Sequence, residues 1–143
     1  MDHRVDPAGF GGLVLGEAMV VRNAGGRVTD EVLANLAFVA ALREARGAGA
    51  EPFEVVVVHH TRCGTALLAD AGFRSGLVAR TGQGAETFAG WAVTDPEVSV
   101  RADVERVLLS TWPGGELAVS GYVYDIDTGG LSEVARGSLG AAS

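Results

Sequence analysis

His60-Thr61-Arg62-Cys63 sets an imidazole and a thiol three positions apart. Two donors at that spacing can reach one zinc ion, the imidazole through a neutral nitrogen and the sulfur as thiolate. The pair alone does not compel that chemistry. A buried cysteine beside a hydrogen-bonded histidine is the commoner arrangement, because cysteine is among the residues most often fully buried. A second group stands at the start of the chain, where Asp2, His3 and Arg4 follow Met1. Side chains alternate along an extended segment, so Asp2 and Arg4 there face the same way and can form a carboxylate–guanidinium pair. The alternative is a frayed terminus with solvated charges.

Composition narrows the remaining possibilities. The chain has 143 residues, one cysteine, and 18 acidic residues against 11 basic ones, for a formal charge of -7. One cysteine excludes an internal disulfide and a self-contained Cys₄ or Cys₂His₂ zinc site. The acidic balance argues against a nucleic-acid-binding surface. At 48% apolar residues the chain can bury a core, and its length suits one domain, 1–143. The charged opening MDHRVDP is not a secretory signal. The longest apolar run, Val32 to Leu42, is too short for a membrane span and contains Asn35. A cytoplasmic protein is therefore expected.

The HxxC group follows directly on FEVVVV, residues 53–58. Four valines without alternation predict a strand buried on both faces of a parallel sheet. His60 and Cys63 then fall just past its carboxyl end, where open α/β sheets form ligand sites. Upstream, LVLGEAMVVR at 13–22 predicts a second buried strand, and Asn23-Ala-Gly-Gly26 a turn using positive φ. Thr29 predicts a helix N-cap with Asp30 and Glu31 in the first turn, and the helix should run to about Arg46, stopped by Gly47 and Gly49. Its apolar middle predicts burial on more than one side, in a core or a subunit interface.

Downstream, Thr65–Asp70 reads as a short helical stretch. Residues 74–92 are ambiguous, with a loop and a short helix around Ala85–Trp91. Thr94-Asp-Pro-Glu97 opens a helix with Val100, Val104, Val107 and Leu108 on one face. Residues 116–125 predict a strand, Asp127-Thr-Gly-Gly130 a hairpin turn, LSEVAR an edge strand, and 137–143 a loose tail. The alternation indicates an α/β fold with a mostly parallel central sheet flanked by helices and a C-terminal edge hairpin.

Taken in order, MDHRVDP, VVRNAGGRVTDEVLANL and VVVVHHTRCG closely resemble the β-class carbonic anhydrases. That family carries Cys-x-Asp-x-Arg after its first strand, Arg-Asn-Ala-Gly-Gly after its second and His-x-x-Cys-Gly after its third. GYVYDIDTGGL resembles the family's last strand and hairpin, and HHT-x-CG resembles a short prokaryotic subgroup. The resemblance covers nearly the whole chain, least clearly 74–92. It implies a zinc-dependent, reversible hydration of carbon dioxide to bicarbonate by zinc-bound hydroxide, in a homodimer or higher homo-oligomer. It also implies His60, Cys63 and Asp2 as zinc ligands, with Asp2 able to swing off the metal and Arg4 holding it there. Arg22, Asn23, Gly25 and Gly26 are implied as supporting residues that line the site and shape its turn. His59 is read as a packing or supporting histidine.

One departure outweighs the matches. The family's first cysteine ligand lies two residues before the aspartate, a position that here would precede Met1. The family's N-terminal arm and first strand also have no counterpart. The chain is therefore expected to be an N-terminally truncated form, with its first strand missing and its activity impaired. Arg62 is a smaller departure, where the subgroup often has a shorter residue. Alternative readings are a non-catalytic binding or assembly protein of the same fold, or a related carbonyl sulfide or carbon disulfide hydrolase.

Overall fold

The computed structural model describes residues 1–48 and 51–140. In chain order the main elements are α1 (Pro7–Gly11), α2 (Asp30–Ala45), β1 (Phe53–His60), α3 (Ala71–Thr81), α4 (Ala85–Gly90), α5 (Pro96–Leu108), β2 (Leu117–Tyr124) and β3 (Leu131–Leu139). Short 3₁₀ turns occupy Ala24–Gly26 and Gly64–Ala69. Helices flank a three-stranded sheet of order β1-β2-β3. β1 and β2 run parallel, from Phe53 opposite Leu117 to His60 opposite Tyr124. β2 and β3 run antiparallel. The sheet is thus mixed, where a mostly parallel one was expected. The tight turn after Tyr124 can only return the chain antiparallel, whereas α3, α4 and α5 supply the crossover a parallel pair needs.

The core forms where α5 lies on the sheet. Asp95 caps α5 by accepting from the backbone N–H groups of Glu97 and Val98, and Pro96 sits in the first turn, where no N–H is required. Val100, Val104 and Val107 then face inward against Val55, Val57, Leu117 and Val119. Burying each such side chain contributes roughly 1.5–3 kcal/mol. The approach is close enough that Gly121 is obligatory: a Cβ there would collide with Val100 and Val104. No helix among the described residues is long and apolar enough to cross a membrane.

Several expectations are corrected. Residues 13–22 join no strand ladder, and Met19, Val20 and Val21 are each more than half exposed. A strand exists only by pairing, and no partner for this segment stands among the described residues. β1 is buried on one face, not two. Val55, Val57 and His59 turn toward the core, while Val56 opposite them is 52% exposed. The valine run reflects fitness for a pleated backbone, which does not by itself specify what covers each face. β1 is also an edge strand, with β2 as its partner on one side alone among the described residues.

α2 starts as expected, with the Thr29 side chain accepting from Val32 N. It packs Val32, Leu33 and Leu36 on the core, but Phe38 is 66% exposed. Gly47 follows its end in the left-handed region, and Gly49 lies outside the described residues. Much of the ambiguous stretch is α3, capped by Asp70 and ended by left-handed Gly82. Gly72 and Gly76 mask its periodicity. The expected loose tail instead extends β3, with Gly137, Ser138 and Leu139 opposite Val119, Ala118 and Leu117. Residues 141–143 lie outside the described part.

Candidate functional site

The carboxyl ends of β1 and β2 position the chemistry-bearing residues. β1 delivers His60 beside Tyr124, and the chain then turns through Thr61-Arg62-Cys63. Thr61 pins that turn, its N–H donating to Tyr124 O at 2.9 Å and its hydroxyl accepting from Ile126 N at 3.1 Å. Arg62 takes a left-handed conformation, φ 53°, which costs a non-glycine residue about 1–2 kcal/mol. It is held there by an ion pair to Asp127 and by Arg4, which donates to the Arg62 carbonyl at 3.2 Å.

The N-terminal segment lies over this turn and is not frayed. Arg22 donates to the carbonyls of Asp2 at 2.7 Å and Val5 at 2.6 Å. The Met1 amino group donates to Asn23 O at 2.9 Å. α1 continues the cover, Phe10 stacking on Tyr124 with ring centroids 4.8 Å apart. Asn23 also donates through Nδ2 to Arg27 O at 2.8 Å, closing the Gly25–Gly26 turn. Both glycines have positive φ, and a Cβ on Gly25 would lie 2.5 Å from Trp91 O. These contacts place Arg22, Asn23, Gly25 and Gly26 in the scaffold that carries Asp2.

Within the site, Arg4 grips Asp2 in a fork. Its Nε donates to Oδ1 at 2.9 Å and its NH2 to Oδ2 at 2.6 Å. The Arg4 side-chain hydrogen bonds are the chief reason the Asp2 carboxyl sits well below the usual carboxylate range. Arg4→Ala is expected to return that carboxyl toward the ordinary range. A ¹³C NMR titration of Asp2 would then show protonation at higher pH than in the wild type. An unmoved titration would show that Arg4 does not hold it.

His60 carries its proton on Nδ1, because Nδ1 lies 2.9 Å from Thr61 O, which can only accept. In the neutral ring that tautomer leaves the lone pair on Nε2, the arrangement a ligating histidine needs. Nε2 faces Asp2 Oδ2 at 3.7 Å, longer than a hydrogen bond. Cys63 is partly buried, with Sγ 3.0 Å from the Thr65 hydroxyl, a donor able to steady a thiolate. The donor chemistry of His60 and Cys63 therefore suits zinc. Asp2 is engaged by Arg4 through both oxygens. Among the described residues no group of three or more His, Cys, Asp or Glu side chains is spaced to hold a metal ion. The residues fit part of a zinc site and do not complete one.

A buried cluster behind the turn was not foreseen. Arg27 donates to Asp103 through Nε at 2.8 Å and NH2 at 3.1 Å, and through NH1 to the carbonyls of Gly90 and Ala92. His59 Nε2 lies 3.2 Å from Asp103 Oδ2 and 3.1 Å from Gly26 O. Burial pushes the Asp103 carboxyl up, but the hydrogen bonds from His59 and Arg27 outweigh it and hold the group ionised below the ordinary range. A signal existed in the sequence: Asp103 is an acid set on the Val100-Val104-Val107 stripe, where an unpaired charge could not stay buried.

No protein-family model matches the chain. It is 33% identical over 134 residues to beta-carbonic anhydrase 1 of Mycobacterium tuberculosis, spanning 94% of this chain and 77% of that protein. The crystal structure of a carbonic anhydrase from Streptococcus mutans superposes with a TM-score of 0.70 at 34% identity, covering 94% of this chain and 77% of that one. A carbonic anhydrase from Glaciozyma antarctica gives a TM-score of 0.66 at 31% identity, covering 94% and 78%. Identity at this level over nearly every described element, with the motif residues gathered at one end of the sheet, shows that the chain belongs to the β-carbonic anhydrase family.

Proposed function

We propose that this protein's reaction is the zinc-dependent, reversible hydration of carbon dioxide to bicarbonate, and that the residues described here supply only part of the metal site. The observation that supports the reading is the His60 ring, with Nδ1 committed to Thr61 O and Nε2 free beside Asp2, three residues from Cys63. His60 and Cys63 would be the zinc ligands from this chain. A further thiolate, at the position two residues before Asp2 in the family motif, would complete the set. Asp2, kept ionised and oriented by Arg4, offers a fixed acceptor next to the ligands. Arg22 and Asn23 hold that acceptor's backbone in place. The exposed face of α2 around Phe38 is assigned to contact with a second copy of the chain.

The reading makes a definite demand on the 143-residue chain. It should carry far less than one zinc per chain by elemental analysis and hydrate carbon dioxide barely above the uncatalysed rate in a stopped-flow pH-indicator assay. Stoichiometric zinc with rapid hydration would overturn the incomplete-site assignment.

A further inference from the structure

Asp103 is 1% exposed and lies on the buried face of α5, yet its contacts reach three separate parts of the fold. It is bound by Arg27 from the Gly25–Gly26 turn and by His59 from the end of β1. Through Arg27 it is linked to the Gly90 and Ala92 carbonyls that precede α5. His59 reaches both Asp103 and Gly26 O with the same nitrogen. Both are acceptors, so Nε2 bears the hydrogen and is shared between them. The other ring nitrogen, Nδ1, is buried with no hydrogen-bond partner among the described residues. A single donor atom is therefore what the ring contributes. A leucine would fill similar space without it.

The clamped turn is the same one that carries the N-terminal segment. Asn23 and Arg27 are joined side chain to backbone across it, and Gly26 N donates to Asn23 O. From its outer side, Asn23 O accepts from Met1, and Arg22 reaches the carbonyls of Asp2 and Val5. The turn is packed without slack, because a Cβ on Gly26 would meet Val58 O at 2.9 Å and the His59 ring at 3.2 Å. A continuous run of contacts thus leads from the buried carboxylate to the Asp2–Arg4 fork beside His60.

We propose that Asp103, acting with His59 and Arg27, is a positioning residue for the candidate site: it fixes the Asn23–Arg27 turn and through it holds Asp2 and Arg4 over His60. The functional consequence rests on the carbonic anhydrase reading above, but the positioning itself is testable without it. The experiment is amide hydrogen exchange by mass spectrometry on the full 143-residue chain, following peptides that cover residues 1–6 and 22–28. Arg4 N and Val5 N are hydrogen-bonded within the first of these and report its order.

Asp103→Asn and His59→Leu should speed exchange in both segments by about tenfold or more, the loss expected when a buried hydrogen bond that closes a local unit is removed. His59→Gln, whose amide keeps a donor where Nε2 stood, should stay within about threefold of the wild type. Val107→Ala, a cavity in the same core, serves as the control for general destabilisation. Each variant is measured equally far below its own melting temperature. If Val107→Ala loosens residues 1–6 as much as His59→Leu does, or if His59→Leu and His59→Gln behave alike, the positioning role is overturned. The His59 pair decides the question even if Asp103→Asn fails to fold. Neither outcome depends on zinc or on carbon dioxide hydration, so failure here leaves the functional reading standing.

Discussion

A chain that carries a cysteine immediately before Met1 is expected to bind zinc on the order of 100-fold more tightly than the 143-residue chain, and to gain carbon dioxide hydration with it. The magnitude follows from dividing the roughly 10–16 kcal/mol of a four-ligand zinc site among its ligands. One thiolate is then worth about 3 kcal/mol, or about two powers of ten in affinity. The geometry favours this position. The Met1 nitrogen is fixed to Asn23 O at 2.9 Å, and Arg22 holds the Asp2 carbonyl next to it at 2.7 Å. A residue joined there starts at the Asn23–Arg27 turn, next to the segment that carries Asp2. Two controls separate the donor from the added length. A serine in the same place should leave zinc binding weak, and Cys63→Ser in the extended chain should return it to the two-donor level. Equal zinc content in the serine and cysteine forms, by elemental analysis after dialysis, would refute the assignment of the missing ligand.

How far the site was legible depends on how local each signal is. His60-x-x-Cys63, Asp2-x-Arg4 and the Asn23–Gly26 turn are short motifs, and the structure gathers all three at the carboxyl ends of β1 and β2. Helix starts were equally local: Thr29 and Asp95 cap the helices they precede. What failed was whatever depends on a distant neighbour. Residues 13–22 have the composition of a strand, but pairing decides whether a strand exists, and composition carries no information about the partner. The four valines of β1 specify an extended backbone, while the exposure of Val56 is set by what packs on the far side. Asp103 was missed for the same reason. Its importance comes from Arg27, 76 residues away, and no window along the chain contains both.

Asp103→Asn is expected to destabilise the fold by about 3–5 kcal/mol, the cost of removing one partner from a buried ion pair. That is a large part of the roughly 5–15 kcal/mol that holds a domain together, and corresponds to a fall in melting temperature of about 10–20 °C. The substitution preserves shape, so no cavity contributes. The loss comes from charge and hydrogen bonding, since Arg27 keeps its fork geometry but faces an amide that cannot accept at both atoms. The pH dependence distinguishes this cause from a packing defect. Because the folded-state carboxyl is held below its ordinary range, its contribution is present above the unfolded pKa of about 3.9 and is lost as pH falls through the lower folded value. The gap in unfolding free energy between wild type and Asp103→Asn should therefore be full at pH 7 and pH 5 and narrow below about pH 4. Urea titrations at a series of pH values measure it directly. A gap that persists undiminished into acid would mean that the amide disturbs packing and that the ionised carboxylate is not what stabilises this end of the sheet.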